Sequence, residues 1–65
     1  MRSTRRLYPE PKLLSIEKTA EFLDVSASTV RRLVKSRQLK ASKIGGQIRI
    51  SLIDLHAFID QSRVF

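Results

Sequence analysis

The chain lacks cysteine and tryptophan and has only one histidine, two glycines and two prolines. Without cysteine there is no disulfide framework and no thiolate metal site, and an intracellular protein is the default expectation. One histidine cannot form a zinc site by itself. No apolar run approaches the roughly 20 residues that a membrane span needs, and the basic start, Met1 to Leu7, is not followed by the apolar stretch of a secretory signal. A cytoplasmic, nucleoid-associated location is therefore expected, with no membrane partner. The most informative absence is of acid. Between Val25 and Ile53 there is no Asp or Glu, whereas Arg31, Arg32, Lys35, Arg37, Lys40, Lys43 and Arg49 fall in that span.

A formal charge of +7 and a pI near 10.9 impose self-repulsion on a 65-residue chain, and such an excess signals a polyanionic partner. Nucleic acid fits better than a membrane surface. The length admits one domain, near the lower limit at which a chain folds without staples, so the core must be minimal.

Local patterns divide the chain into an arm at 1–12, a domain at 13–60 and a tail at 61–65. The arm carries Arg2, Arg5, Arg6 and Tyr8, then Pro9 and Pro11, which favour extended backbone and remove two amide donors. Ser15 is a good N-cap, and Glu17 complements the helix dipole, for a helix over about Ile16 to Leu23. Ile16, Thr19, Ala20 and Leu23 share its inner face, with Glu17, Lys18 and Glu21 opposite. Asp24 and Val25 form a tight connection in which Asp24 suits a left-handed conformation. Ser26 caps a second helix, about Ala27 to Ser36, with Val30, Leu33 and Val34 inward and Ala27 at their edge. Ser28, Arg31, Arg32 and Lys35 cluster on its outer face.

Beyond Arg37 the period changes. Leu39 to Ile44 and Gln47 to Ile50 flank Gly45 and Gly46, which reads as a hairpin. A two-residue loop would place Lys43 beside Ile48 on one face. A loop one residue longer pairs Ile44 with Ile48 and Ser42 with Ile50, and leaves Lys43 and Arg49 outside; the apolar pattern favours this longer loop. Ser51 caps a third helix through about Ile59, with Asp54 as its capping-box partner and an inward stripe of Leu52, Leu55, Phe58 and Ile59. The remainder, Asp60 to Phe65, is expected to fray.

Two short helices joined by a tight turn, the second with an outward basic and hydroxyl face, form a helix-turn-helix whose second helix suits the major groove. Arg can bond a guanine edge through two hydrogen bonds, Lys and Ser reach phosphates or base acceptors, and a helix N-terminus offers free amides to phosphate. The hairpin adds a basic wing.

Leu13 through Ile59 resembles the excisionase-type, MerR-like helix-turn-helix domain. The matching segments are Leu-Leu-Ser-Ile-Glu-Lys-Thr-Ala-Glu-Phe-Leu at 13–23, Val-Ser-Ala-Ser-Thr-Val-Arg-Arg-Leu-Val-Lys at 25–35, Lys-Ile-Gly-Gly-Gln-Ile-Arg-Ile at 43–50 and Asp-Leu-His-Ala-Phe-Ile at 54–59. The resemblance implies a mostly α fold with a small β-hairpin, a winged helix-turn-helix of three short helices. By position it implies DNA contacts at Ser26, Ser28, Thr29, Arg31, Arg32 and Lys35 on the helix, and at Lys43, Gln47 and Arg49 on the wing. The chain departs from the family where Asp24 and Arg37 stand for common glycines, where Ile48 stands for a large aromatic, and where Arg31 stands for a frequent Tyr. The last departure makes base preference unreadable by analogy.

Other readings stand beside these. A basic helix face is often only solvated, and Arg2, Arg5 and Arg6 form either a minor-groove arm or an unstructured tail. Gly45 and Gly46 are turn residues before they are phosphate ligands. His56 reads as a surface residue, and Phe22, Phe58 and Tyr8 as packing residues, since no strand carries the paired aromatics of an RNA-recognition sheet.

MerR-type regulators add a long dimerisation helix and an effector domain, so no small-molecule effector is expected for a bare domain. The resemblance to excisionases implies an architectural role. Such proteins bind adjacent sites cooperatively, bend attachment-site DNA and help a phage or element integrase to excise. Val64 and Phe65 in the tail are candidate protein contacts. A small stand-alone transcription regulator is the runner-up, and an RNA-binding basic protein a third reading. Neither catalytic residues, cofactor nor metal are expected, because no carboxylate pair, ligand spacing or nucleophile with its base is present in a motif.

Overall fold

Three serines set the helix starts. Ser15, Ser26 and Ser51 hold extended backbone, and their Oγ atoms accept the amides of Lys18 at 3.1 Å, Thr29 at 3.2 Å and Asp54 at 3.0 Å. Each bond satisfies a first-turn donor that has no partner within its helix. The structure, a computed structural model, describes residues 12–64. The expected arm residues Arg2, Arg5, Arg6 and Tyr8, and Phe65 of the tail, lie outside that range.

The elements run β1 (Leu13–Leu14), α1 (Ile16–Leu23), α2 (Ala27–Lys35), β2 (Ser42–Ile44), β3 (Gln47–Ser51) and α3 (Leu52–Gln61). The result is a winged helix-turn-helix. Its three strands form an antiparallel sheet in the order β1-β3-β2. The two-residue β1 is an addition to the expected plan. Leu13 pairs with Ser51 and Leu14 with Ile50, and the Leu52 amide donates to the Lys12 carbonyl at 2.8 Å. The expected boundary between arm and domain therefore runs through a bonded strand end.

Both helix ends in the motif close through left-handed residues. Asp24 stands at φ 59° and ψ 46°, and the Val25 amide returns to the Ala20 carbonyl at 3.0 Å. Arg37 stands at φ 67°, and the Gln38 amide returns to the Leu33 carbonyl at 3.0 Å. Asp tolerates this region through its short polar side chain, whereas Arg has no such compensation.

The core is small, as its length requires. Val30 and Leu39 meet Ile50 and Leu55, all essentially without exposure, with Ala20 alongside. Thr19 is equally buried on the inner face of α1, and its Oγ1 has no hydrogen-bond partner among the described residues. Leu39 was expected to open a strand. It instead fills the core from the connection that follows Arg37, and β2 begins only at Ser42.

The hairpin register also differs from expectation. Ile44 pairs with Gln47, Lys43 with Ile48 and Ser42 with Arg49, across a two-residue turn in which Gly45 and Gly46 have φ of 59° and 83°. Two successive positive φ values define the turn whose twist matches paired strands, and glycine adopts them without steric cost. This local geometry overrides the apolar pattern because the tip lies beyond the core. Alternation puts Lys43 on the face of Ile48, where it stays exposed, and Ile44 on the opposite face with Gln47 and Arg49.

Helix α3 runs two residues further than expected, because the Ser62 amide and Oγ both bond the Phe58 carbonyl and so extend its last turn. Ile59, assigned to the inward stripe, is instead exposed, while Leu52 and Phe58 are half-buried against the core. Phe22 is likewise more solvated than a packing residue, at 52% exposure, and meets exposed His56 edge-on with ring centroids 6.0 Å apart.

Candidate nucleic-acid interface

Helix α2 begins with a hydroxyl network. Ser26 Oγ lies 3.1 Å from Ser28 Oγ and 3.0 Å from Thr29 Oγ1, and Arg32 Nη2 donates to Thr29 Oγ1 at 3.2 Å. The cap that starts the helix therefore also restrains Arg32. A restrained guanidinium loses less side-chain entropy on meeting a partner than a free one does. Ser26, Ser28, Arg31, Arg32 and Lys35 are exposed, and Thr29 is half-buried.

Arg31 differs from its neighbour. Its Nη2 lies 3.7 Å from Glu17 Oε2 on α1, both side chains being largely solvated. Glu17 is a site residue that sequence reasoning missed, since only the packing of α1 against α2 brings the two together. The other six basic residues between Val25 and Ile53 have no acidic partner within ion-pair distance among the described residues.

On the wing, Arg49 Nη2 donates to Gln47 Oε1 at 2.6 Å and Nη1 to the Ile48 carbonyl at 3.1 Å. The shared face of Gln47 and Arg49 follows from their spacing of two along β3. Lys43 is exposed but belongs to the other face. Helix and wing candidates thus form two basic patches, with no hydrogen bond between them among the described residues. Arg37 and Lys40, exposed in the connection between α2 and β2, add two cations that the motif reading left aside. Their signal was the acid-free stretch itself.

Among the described residues no three His, Asp or Glu side chains gather as metal ligands. No described helix is long and apolar enough to cross a membrane. A shallow groove of about 720 Å³ lies against β1 and α1, lined by Leu13, Phe22 and Leu52, with Arg49 at its edge.

A capped basic helix after a three-residue turn, beside a glycine-tipped basic hairpin, defines a winged helix-turn-helix domain, an architecture suited to binding DNA. The chain belongs to the helix-turn-helix domain family, whose profile matches residues 13–63. Uncharacterized proteins of Mycobacterium bovis and Mycobacterium tuberculosis are each 38% identical over 55 residues, 85% of this chain and 48% of theirs. The chain thus spans about half the length of these curated relatives. An excisionase of Mycobacterium phage D29 is 45% identical over 38 residues, covering 58% of this chain and 68% of the phage protein. No solved structure matches significantly.

Proposed function

We propose that this chain is an excisionase of the MerR-like kind, a sequence-specific architectural protein that bends attachment-site DNA and directs an integrase towards excision. One observation carries the DNA-binding part of this reading. The acid-free stretch folds into two exposed basic elements, α2 and the wing, which suit adjacent grooves of one duplex. The likeness to the phage excisionase favours the architectural role over others open to the same fold.

In this reading α2 lies in the major groove. Arg32 reads a base edge, while Arg31, Ser26, Ser28, Thr29 and Lys35 engage phosphates or base acceptors. Lys43, Gln47 and Arg49 hold the neighbouring backbone or minor groove. Several copies side by side, each neutralising phosphates, together offset a bending cost of roughly 1 to 6 kcal/mol. An integrase and further copies of this chain are the partners the role requires.

The test is a footprint on DNA flanking the chain's own gene, with and without an integrase encoded by the same element. An excisionase protects a run of adjacent sites, bends them and stimulates excision. Protection of one straight promoter site, with no effect on recombination, would favour a stand-alone regulator. Preference for single-stranded RNA over duplex DNA would overturn both.

A further inference from the structure

The observed hairpin register turns an isoleucine outward at the end of the wing. Ile44 is the last residue of β2, next to the Gly45-Gly46 turn, and is 51% exposed although the core has few large apolar side chains. It faces Gln47 across the strands and shares a face with Arg49, with Lys43 beside it in sequence. Beyond their chain neighbours, neither glycine has a heavy atom within 4 Å of where a Cβ would stand, so the tip stands open and carries no side chain at its turn. A single exposed apolar residue is ordinary on a protein surface. One at the narrow end of a basic ribbon, beside an amide and a guanidinium, is placed differently.

Resting on the DNA-binding reading above, the geometry points to Ile44 as an apolar wedge that inserts between base pairs from the minor groove. The chemistry of its neighbours supports that occupant. Gln47 and Arg49 offer donors to the minor-groove acceptors of A·T pairs, and Lys43 offers a charge to the flanking phosphates. A turn without side chains lets the backbone approach a groove about 6 Å wide closely. Pyrimidine–purine steps unstack most readily, so the wedge favours a TA or CA step. Bending then has a local cause in each copy of the chain, in addition to any produced by copies packing together.

The full chain is mixed with a duplex of about 30 base pairs that holds one central TA step, with 2-aminopurine beside the step and a fluorophore pair at the ends. The expected result is end-to-end shortening for a kink of the order of 20 to 90 degrees, with several-fold brightening of 2-aminopurine as it unstacks. Ile44→Ser should still bind and melt at the same temperature, yet lose most of both signals. Ile44→Leu should keep them. Equal bending and brightening by Ile44→Ser overturns the wedge while leaving DNA binding standing. Loss of cooperative loading alone, with bending by one protomer unchanged, also overturns it and assigns Ile44 to a protein contact. Failure of the unaltered chain to bind any duplex overturns the wedge and the DNA-binding reading together.

Discussion

Arg31 and Glu17 bridge the two helices of the motif, guanidinium Nη2 to carboxylate Oε2 at 3.7 Å. A solvated pair of this kind contributes about 0 to 1 kcal/mol to stability. Its larger effect is on binding, because Glu17 competes with phosphate for Arg31 and places a negative charge beside the candidate interface. Glu17→Gln should raise affinity for random duplex several-fold at low salt, as read by fluorescence anisotropy, with the gain shrinking as salt increases. An unchanged affinity would place Arg31 away from the DNA.

Arg32 is held by Thr29 and ready for a directed contact. Arg32→Ala should cost about 1 to 3 kcal/mol at the cognate site and narrow the gap between specific and random DNA. Equal losses on both would assign Arg32 to phosphate. Titration of the unaltered chain at several salt concentrations should give a log-log slope of about −0.9 per phosphate contact.

The hydroxyl of Thr19 is buried without a partner among the described residues. An unsatisfied polar atom of this kind costs roughly 1 to 3 kcal/mol, and valine has nearly the same shape. Thr19→Val should therefore stabilise the domain and raise its melting temperature by about 4 to 8 °C for each kcal/mol gained. A lower melting temperature would mean that the hydroxyl finds a partner in solution.

Positive φ at Gly46 and Arg37 makes opposite demands on substitution. Gly46→Val puts a β-branched side chain at φ 83°, and it should weaken the wing and lower DNA affinity while leaving α1 and α2 folded. Intact wing signals in an NMR spectrum of that variant would contradict the assigned turn.

Arg37→Gly removes a left-handed strain of about 1 to 2 kcal/mol and adds chain entropy to the unfolded state, for a net gain of about 0.5 to 1 kcal/mol. A higher urea midpoint with the same slope is the expected result. A lower midpoint would show that the Arg37 side chain makes contacts worth more than the strain.

The three helices were legible because their determinants are local. A serine, an apolar stripe of period 3.6 and a short turn lie within a few residues of one another, and even the left-handed Asp24 follows from its own side chain. Strand β1 was not legible, since two leucines become a strand only when Ser51 and Ile50 arrive beside them. The hairpin register was misread for a related reason. Matching Ile44 to Ile48 assumes a core beneath the tip, and none lies there. In the candidate site, the cations were visible one by one, whereas the meeting of Arg31 with Glu17 depends on how α1 packs on α2.

The pairing of Leu13 with Ser51 makes β3 the central strand and joins the start of the domain to the residue that caps α3. Contacts so distant in sequence close a long loop, so this clasp belongs to the slow, non-local part of folding. It also divides the sheet into two regimes of opening. Amides where β3 meets β1 should exchange with solvent hydrogen only when the whole domain unfolds, while those at the wing tip exchange through brief local fraying. One strand thus carries an anchored end at Ser51 and an end at Gln47 that is expected to open first, so the wing can open without loosening the helices behind it.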